Sequence, residues 1–249
     1  MRLIKKVIPS FLWNYLKKRK DDYVISQLRR FIPSFLVLGS WQEQIELGRF
    51  LDGEQYYSQA LQDYFIDKYV FKRKQGGFFL DIGGNDPVKI NNTYFFEKTR
   101  GWSGLAFEPM KTQNDKWKSE RNIECLQCAL GSSNGEIEFC EYEDHYMSGF
   151  STEVDYKGKV KTRYTVQVRR LADILEERGI THVDFVSLDV EGAELGVLNG
   201  IDFNKVDITC FTIENNKGPE RERRIIRFML DHGYKIKARL WLDDLWVKA

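Results

Sequence analysis

The chain reads as an α/β fold, a mostly parallel sheet covered by helices on both faces. Three observations predict this. Short apolar runs such as FFLDI and VDFVSLDV alternate with stretches of helical periodicity from Tyr57 onward. Such βα alternation builds a parallel sheet with helices packed on each side. The last two runs, YKIKARL and DLWVKA, have little between them, so they form a hairpin and make one edge antiparallel.

The 249 residues suffice for one such domain with an extension. Residues 1–56 read as a helical arm and linker, and residues 57–249 as the domain. Seven of the 38 basic residues fall within residues 1–20, with no acid among them, so the remainder is mildly acidic. The basic charge belongs to the arm and not to the fold. Leu3, Ile4, Val7, Ile8, Phe11, Leu12, Tyr15 and Leu16 share one helical face, and Pro9 kinks or restarts that helix. IPSFL occurs at 8–12 and again at 32–36. Residues 1–36 read two ways: as a segment lying on an anionic membrane surface, or as a helix packed on the domain. No apolar run approaches the ~20 residues of a membrane span, and no secretory pattern is present. The expected location is the cytoplasm, with the arm on the inner face of the membrane under the first reading. A net charge of +1 argues against a general nucleic-acid binder.

Within the domain, Ser58 is the expected N-cap of a helix over SQALQDYFIDKYV. FFLDI is a buried strand, NNTYFFEKTRG a helix, and GLAFEP the next strand. A helix follows around Asn114 to Arg121, then a strand over IECLQCAL. On that strand Cys125 and Cys128 would point to opposite faces. No second pair or histidine cluster completes a zinc site, so Cys125, Cys128, Cys140 and Cys210 are expected as buried free thiols. EIEFCEY and TRYTVQV are strands flanking an irregular insertion, Glu141 to Lys159, suited to cover a substrate. LADILEERG is a helix ended by Gly179, VDFVSLDV a strand, AELGVLNG a helix ended by Gly200, and DITCFTIEN a strand. A helix from Pro219 to His232 stops at Gly233 before the closing hairpin.

In an open α/β sheet, ligands bind beyond the carboxyl ends of the strands, where strand order reverses. Asp81, Gly83, Gly84, Asn85 and Asp86 follow the first strand, and the glycines permit a tight turn and close ligand approach. Glu108 ends the second strand, where an acid can accept both hydroxyls of an adenosine ribose. A nicotinamide cofactor would use an acid in the same way, but the first loop is not G-x-G-x-x-G and no second mononucleotide-binding half follows. Asp189, Glu191 and Glu194 follow the fourth strand, and Glu214, Asn215 and Asn216 the fifth. Carboxylates gathered there repel one another, so a cation should offset them: a sulfonium, a divalent metal, or a Lys or Arg. Glu191 and Glu194 also suit the N-terminus of the next helix.

In this order, D-I-G-G-N-D, N-N-T-Y-F-F-E-K, G-W-S-G-L-A-F-E-P, A-L-G-S-S-N-G-E-I-E-F, S-L-D-V-E-G-A-E-L and T-I-E-N-N resemble an FkbM-type methyltransferase. Y-S-Q-A-L-Q-D and D-D-L-W-V fit as well, so the resemblance runs from Tyr57 to the C-terminus. It implies the Rossmann-like, seven-stranded class I methyltransferase sheet, S-adenosylmethionine as cofactor, and O-methylation of a sugar hydroxyl in a surface glycan, glycolipid or natural product. By the same resemblance Asp81, Gly83, Gly84 and Asn85 would hold the methionine part of the cofactor and Glu108 its ribose. Cys128 and Ala129 would border the adenine, and Asp189 and Glu191 would face the methyl and the acceptor. The family commonly reads D-I-G-A-N-D-G, whereas Pro87 stands here in place of the last glycine. Proline is tolerated in the first turn of a helix, and NNTYFFEK begins one soon after, so the site is expected to work.

A sugar hydroxyl must lose its proton to attack. In one scheme Asp189, Glu214 and Asn215 hold Mg²⁺ or Mn²⁺ on the acceptor oxygen, an arrangement that resembles catechol-type O-methyltransferases. In the other, His145 or Asp189 takes the proton directly. His182 and His232 are set away from the carboxyl ends. Two further readings stay open: a nucleotide-dependent oxidoreductase, and a degenerate methyltransferase fold used as a membrane-associated interaction module.

Overall fold

A computed structural model describes residues 52–145, 148–150, 158–215 and 218–249. The arm at 1–36, its repeated pentapeptide, Tyr146 and Asn216 lie outside the described residues. No described helix is long and apolar enough to cross a membrane.

The chain runs α1 (Gln62–Tyr69), β1 (Phe78–Ile82), α2 (Tyr94–Arg100), β2 (Ser103–Phe107), α3 (Lys111–Glu120), β3 (Glu124–Leu126), β4 (Ala129–Leu130), β5 (Gly135–Tyr142) and β6 (Gly149–Phe150). It continues with β7 (Val160–Arg169), α4 (Leu171–Glu177), β8 (His182–Leu188), α5 (Glu194–Asn199), β9 (Asp207–Glu214), α6 (Pro219–Asp231), β10 (Tyr234–Leu240) and β11 (Asp243–Lys248). Seven strands form the main sheet in the order β10-β11-β9-β8-β1-β2-β3. β11 is antiparallel to both its neighbours, and the other pairings are parallel. This is the expected class I methyltransferase sheet with its antiparallel C-terminal hairpin. The chain winds outward from β1 to β3, then returns to the far side of β1 as β8, so the switch point lies between β1 and β8.

Period two on β1 divides the core. Leu80 and Ile82 pack with Leu171 and Ile174 of α4, Val197 of α5 and Met229 of α6. Phe79 faces the opposite layer, with Tyr64 and Ile66 of α1 and Phe95 and Phe96 of α2. Strands sealed on both faces need apolar residues at every position, hence the continuous runs in the sequence. Residues 52–56, assigned from sequence to the arm, also meet this layer. Tyr56 is buried against Phe95, and Glu54 pairs with Arg100 at 2.6 Å.

Two local expectations fail. α1 starts at Gln62 and not behind Ser58, because Leu61 adopts a left-handed conformation (φ 59°) that breaks the helix there. Ser58 and Asp63 bond each other's backbone instead: Asp63 N donates to Ser58 Oγ (3.2 Å) and Ser58 N to Asp63 Oδ2 (3.1 Å). IECLQCAL is not one strand but two. Cys128 N donates to Leu126 O in a tight turn (3.0 Å), and the chain passes from β3 at the sheet edge to β4 in a second sheet. The opposite-faces argument for Cys125 and Cys128 therefore lapses, although all four cysteines are buried and free. The second sheet, ordered β4-β7-β5-β6, was not foreseen as a unit.

Candidate active site

A cavity of about 430 Å³ opens at the carboxyl ends of β1, β2, β8 and β9, within the size range of small-molecule sites. Its floor is the switch point. Asp189 N donates to Ile82 O (3.0 Å), and Gly83 N to Phe107 O (3.1 Å), so the ends of β8, β1 and β2 are locked together. Gly83 has φ +80°, and a Cβ there would collide with the Asp189 carbonyl oxygen. A Cβ at Gly84 would collide with Asp81 Oδ1 and Trp117. The two glycines are thus demanded first by the protein's own packing, beyond the ligand approach expected of them.

Asp81 is buried beneath the loop, its Oδ2 accepting from Thr93 Oγ1 (2.5 Å) and Asn91 Nδ2 (3.1 Å). Burial raises its pKa, and the nearby Arg121 opposes that. Arg121 is itself buried, ion-paired with Glu97, stacked 4.5 Å over the Trp117 ring, and donates to Pro87 O at 2.8 Å.

Pro87 is not where the sequence put it. α2 begins only at Tyr94, and Pro87 sits in a turn organised by Asp86, whose Oδ1 accepts from Val88 N (2.9 Å) and Lys89 N (2.8 Å). Positive φ in the loop falls on Gly83 (80°), Asn85 (45°) and Ile90 (56°), not on position 87. Pro87 does not line the cavity, so neither its fixed φ nor its missing N–H touches the site.

Glu108 is buried in the cavity wall, its carboxylate accepting from Asn85 N (3.1 Å) and Met110 N (2.8 Å). Burial outweighs these bonds and pushes its pKa up to about 8. Cys128 and Ala129 line the cavity beside it, with Ser148 and with Phe139, Gly149 and Phe150 of the second sheet. Residues that sequence reasoning left unassigned also line it: Gln59, Lys89, Asn91, Asn92, Ser187 and Leu242. Gln59, Asn91 and Asn92 sit in the quoted motifs Y-S-Q-A-L-Q-D and N-N-T-Y-F-F-E-K, the signal that pointed to them.

Asp189, Glu191 and Glu214 face the same cavity. Carboxylate oxygens of Asp189, Glu194 and Glu214 lie within 4.8 Å of one another. The pKa of Asp189 is raised well above the usual range, by desolvation and then by repulsion from Glu214, Glu191, Asp243 and Glu194. Cavity solvent reaches this side chain, so the repulsion is the firmer cause. Glu194 caps its own helix entrance, Oε1 accepting from Gly192 N (2.9 Å), while buried Oε2 has no hydrogen-bond partner.

Two sequence assignments move. Asn215 does not line the cavity. Its Nδ2 donates to Asp244 Oδ2 (2.7 Å) across the β9–β11 boundary, and Glu194 is the group that stands with Asp189 and Glu214. His145 is not among the lining residues either. Its Nδ1 lies 2.6 Å from Asn85 Oδ1, and its carbonyl accepts from Asn85 Nδ2 at 2.8 Å. An amide oxygen can only accept, so this contact calls for a proton on Nδ1, while Gln113 Nε2, 3.4 Å from the same atom, calls for a lone pair there; the contact to the loop is the closer of the two.

The seven-strand order with β11 antiparallel beside β9, together with the glycine loop at the switch point and an acid ending the next strand, is the class I methyltransferase arrangement. The chain belongs to the FkbM methyltransferase family: the methyltransferase FkbM domain matches residues 81–236, more than half of its length. It is 26% identical over 216 residues to methyltransferase sdnD of Sordaria araneosa, covering 72% of this chain and 81% of that one. It is 28% identical over 173 residues to methyltransferase 1 of Beauveria bassiana (strain ARSEF 2860), covering 59% and 68%. Among solved structures it is similar to a TehB-like SAM-dependent methyltransferase from Corynebacterium glutamicum, with TM-score 0.43, 12% identity, and 84% and 96% of the two chains covered. It is also similar to M. capricolum TrmK in complex with S-adenosylhomocysteine, with TM-score 0.40, 11% identity, and 75% and 66% covered.

Proposed function

We propose that the protein is an S-adenosylmethionine-dependent O-methyltransferase whose acceptor is a sugar hydroxyl in a glycan, glycolipid or related glycoconjugate. The observation that carries this is one cavity lined both by Glu108 and by the Asp189, Glu191 and Glu214 carboxylates. The cofactor would supply a methyl group on a cationic sulfonium. Glu108 suits the ribose hydroxyls, with Cys128 and Ala129 beside the adenine. The loop Gly83–Asn85 follows β1 over buried Asp81. The carboxylate cluster favours a cation, whose charge offsets part of the repulsion among them and leaves the desolvation of Asp189 in place.

Asp189 then acts as general base. A carboxylate with a raised pKa accepts the hydroxyl proton more readily than an ordinary one. The cavity walls align acceptor and donor for an in-line displacement, where much of the acceleration resides. A second reading of the same carboxylates is a divalent ion held by Asp189, Glu194 and Glu214, favoured by the unpartnered Glu194 Oε2.

The test is calorimetric titration with S-adenosylhomocysteine, with and without Mg²⁺, beside Pro87→Gly, followed by transfer of labelled methyl to oligosaccharides. Micromolar binding, equal in both proteins, is expected, with an alkali-stable methyl ether as product and at least a hundredfold loss in Asp189→Asn. Binding confined to Pro87→Gly would make the chain a degenerate fold, and an alkali-labile ester would move the acceptor to a carboxylate. Activity lost to chelation and restored by Mg²⁺ would select the metal reading.

A further inference from the structure

A second groove, about 560 Å³, adjoins the cavity. One wall is the first half of α6, which contributes Arg221 and Arg224, and another is the turn after β4, with Ser132 and Ser133. Phe150 lines both the cavity and the groove. Glu191 faces the cavity while the next residue, Gly192, faces the groove. A ligand of modest length can therefore occupy both.

The two compartments have opposite charge. The cavity carries Asp189, Glu191 and Glu214, which repel an anion. The groove carries two arginines against one acid, Glu136, and Glu136 accepts from Gln167. Arg221 and Arg224 are three apart on a helix and so share a face. Arg224 enters no ion pair among the described residues. The groove is also kept open: a Cβ at Gly135 or Gly196 would meet nothing within 4 Å.

We propose that this groove binds an oxyanion, a phosphate or carboxylate borne by the methyl acceptor, with Arg224 and Arg221 as the recognising groups. This rests on the methyltransferase reading above and narrows it: the acceptor is an anionic glycoconjugate, its hydroxyl at Asp189 and its charged group at the arginine fork. Guanidinium matches either oxyanion with paired hydrogen bonds. Separating the anion from the acidic cavity also orients the acceptor, because the reverse placement sets like charges together.

The test is calorimetric titration of the full chain, with S-adenosylhomocysteine bound, using pyrophosphate in one arm and malonate in the other at constant ionic strength. Arg221 also acts on Glu194, so the informative variants lie elsewhere. Arg224→Ala removes the fork. Gly196→Glu fills the groove with a negative side chain at a helical position with room for it. Arg223→Ala, on the same helix but outside the groove, is the control. Saturable binding in at least one arm is expected, weakened about tenfold or more by Arg224→Ala and Gly196→Glu and unchanged by Arg223→Ala. The tighter probe identifies phosphate or carboxylate. Absence of binding in both arms would overturn the proposal. So would equal weakening by Arg223→Ala, which means diffuse charge, or intact binding in Gly196→Glu. Affinity for S-adenosylhomocysteine should be the same in all variants, and its absence in the native protein would strike the cofactor reading instead.

Discussion

Glu108 is balanced between two protonation states, and that balance is measurable. Burial favours the neutral acid, two backbone N–H groups favour the anion, and the outcome is a pKa of about 8. A ribose diol donating to the carboxylate adds to the anion's side and lowers that pKa on binding. The ligand then prefers ionised Glu108, so affinity for S-adenosylhomocysteine is full above pH 8 and falls as pH drops, by up to about tenfold per unit. Titrations at pH 6, 7, 8 and 9 should show this slope, and Glu108→Gln should abolish it while weakening binding about tenfold at high pH. A flat profile in the native protein would remove Glu108 from the ribose site. The acid was legible in AFEP because a strand-terminal carboxylate has few purposes. Its twofold backbone capping was not, since Asn85 is far from it in sequence.

At the scale of elements, the segment between β5 and β6 is fastened to the glycine loop. Asn85 and His145 exchange two hydrogen bonds, and β6 pairs with β5 through Phe139–Phe150 and Cys140–Gly149. The insertion read from sequence as a substrate cover does line the cavity, through Asp144, Ser148, Gly149 and Phe150. His145 ties that segment to the loop and does not itself line the cavity. His145→Ala should therefore speed amide exchange at residues 148–150 about tenfold, the worth of roughly one hydrogen bond. It should raise the acceptor KM while leaving the pH profile of kcat unchanged. A lost acid limb in that profile, the fall at low pH where a base is protonated, would return His145 to the role of base. Polar residues in an insertion announced a binding segment, but which of them face inward depends on how β5 and β6 pair.

For the whole molecule, several buried carboxylates have raised pKa values: Asp63 at about 6, Asp243 at about 7 and Glu108 at about 8, each chiefly through burial. Unfolded, such groups titrate near about 4. Between about pH 4 and 8 the folded state binds more protons than the unfolded one, so stability falls as pH rises through that window. Ion-paired Asp184, with its lowered pKa, acts in the opposite sense but only at lower pH. The melting temperature should accordingly be higher at pH 6 than at pH 8, each 1 kcal/mol appearing as about 2–4 °C. Asp243→Asn, which can still accept from Gln62 Nε2, should reduce that difference. A Tm that rises from pH 6 to 8 would refute the assignment.

The sequence by itself determined the sheet, its antiparallel edge, the family and most of the cavity floor. Hydrophobic period and glycine position are local properties, and residues at the ends of parallel strands converge whatever the details of packing. Only the tertiary structure decided the split of IECLQCAL between two sheets, the exchange of Asn215 for Glu194 beside Asp189, the displacement of His145 and the placement of Pro87 outside the cavity lining. Each depends on where a side chain or carbonyl finds a partner distant in sequence: Val168 for Ala129, Asp244 for Asn215, Asn85 for His145, Arg121 for Pro87. Such pairings follow from folding the whole chain, and no short stretch of it contains them.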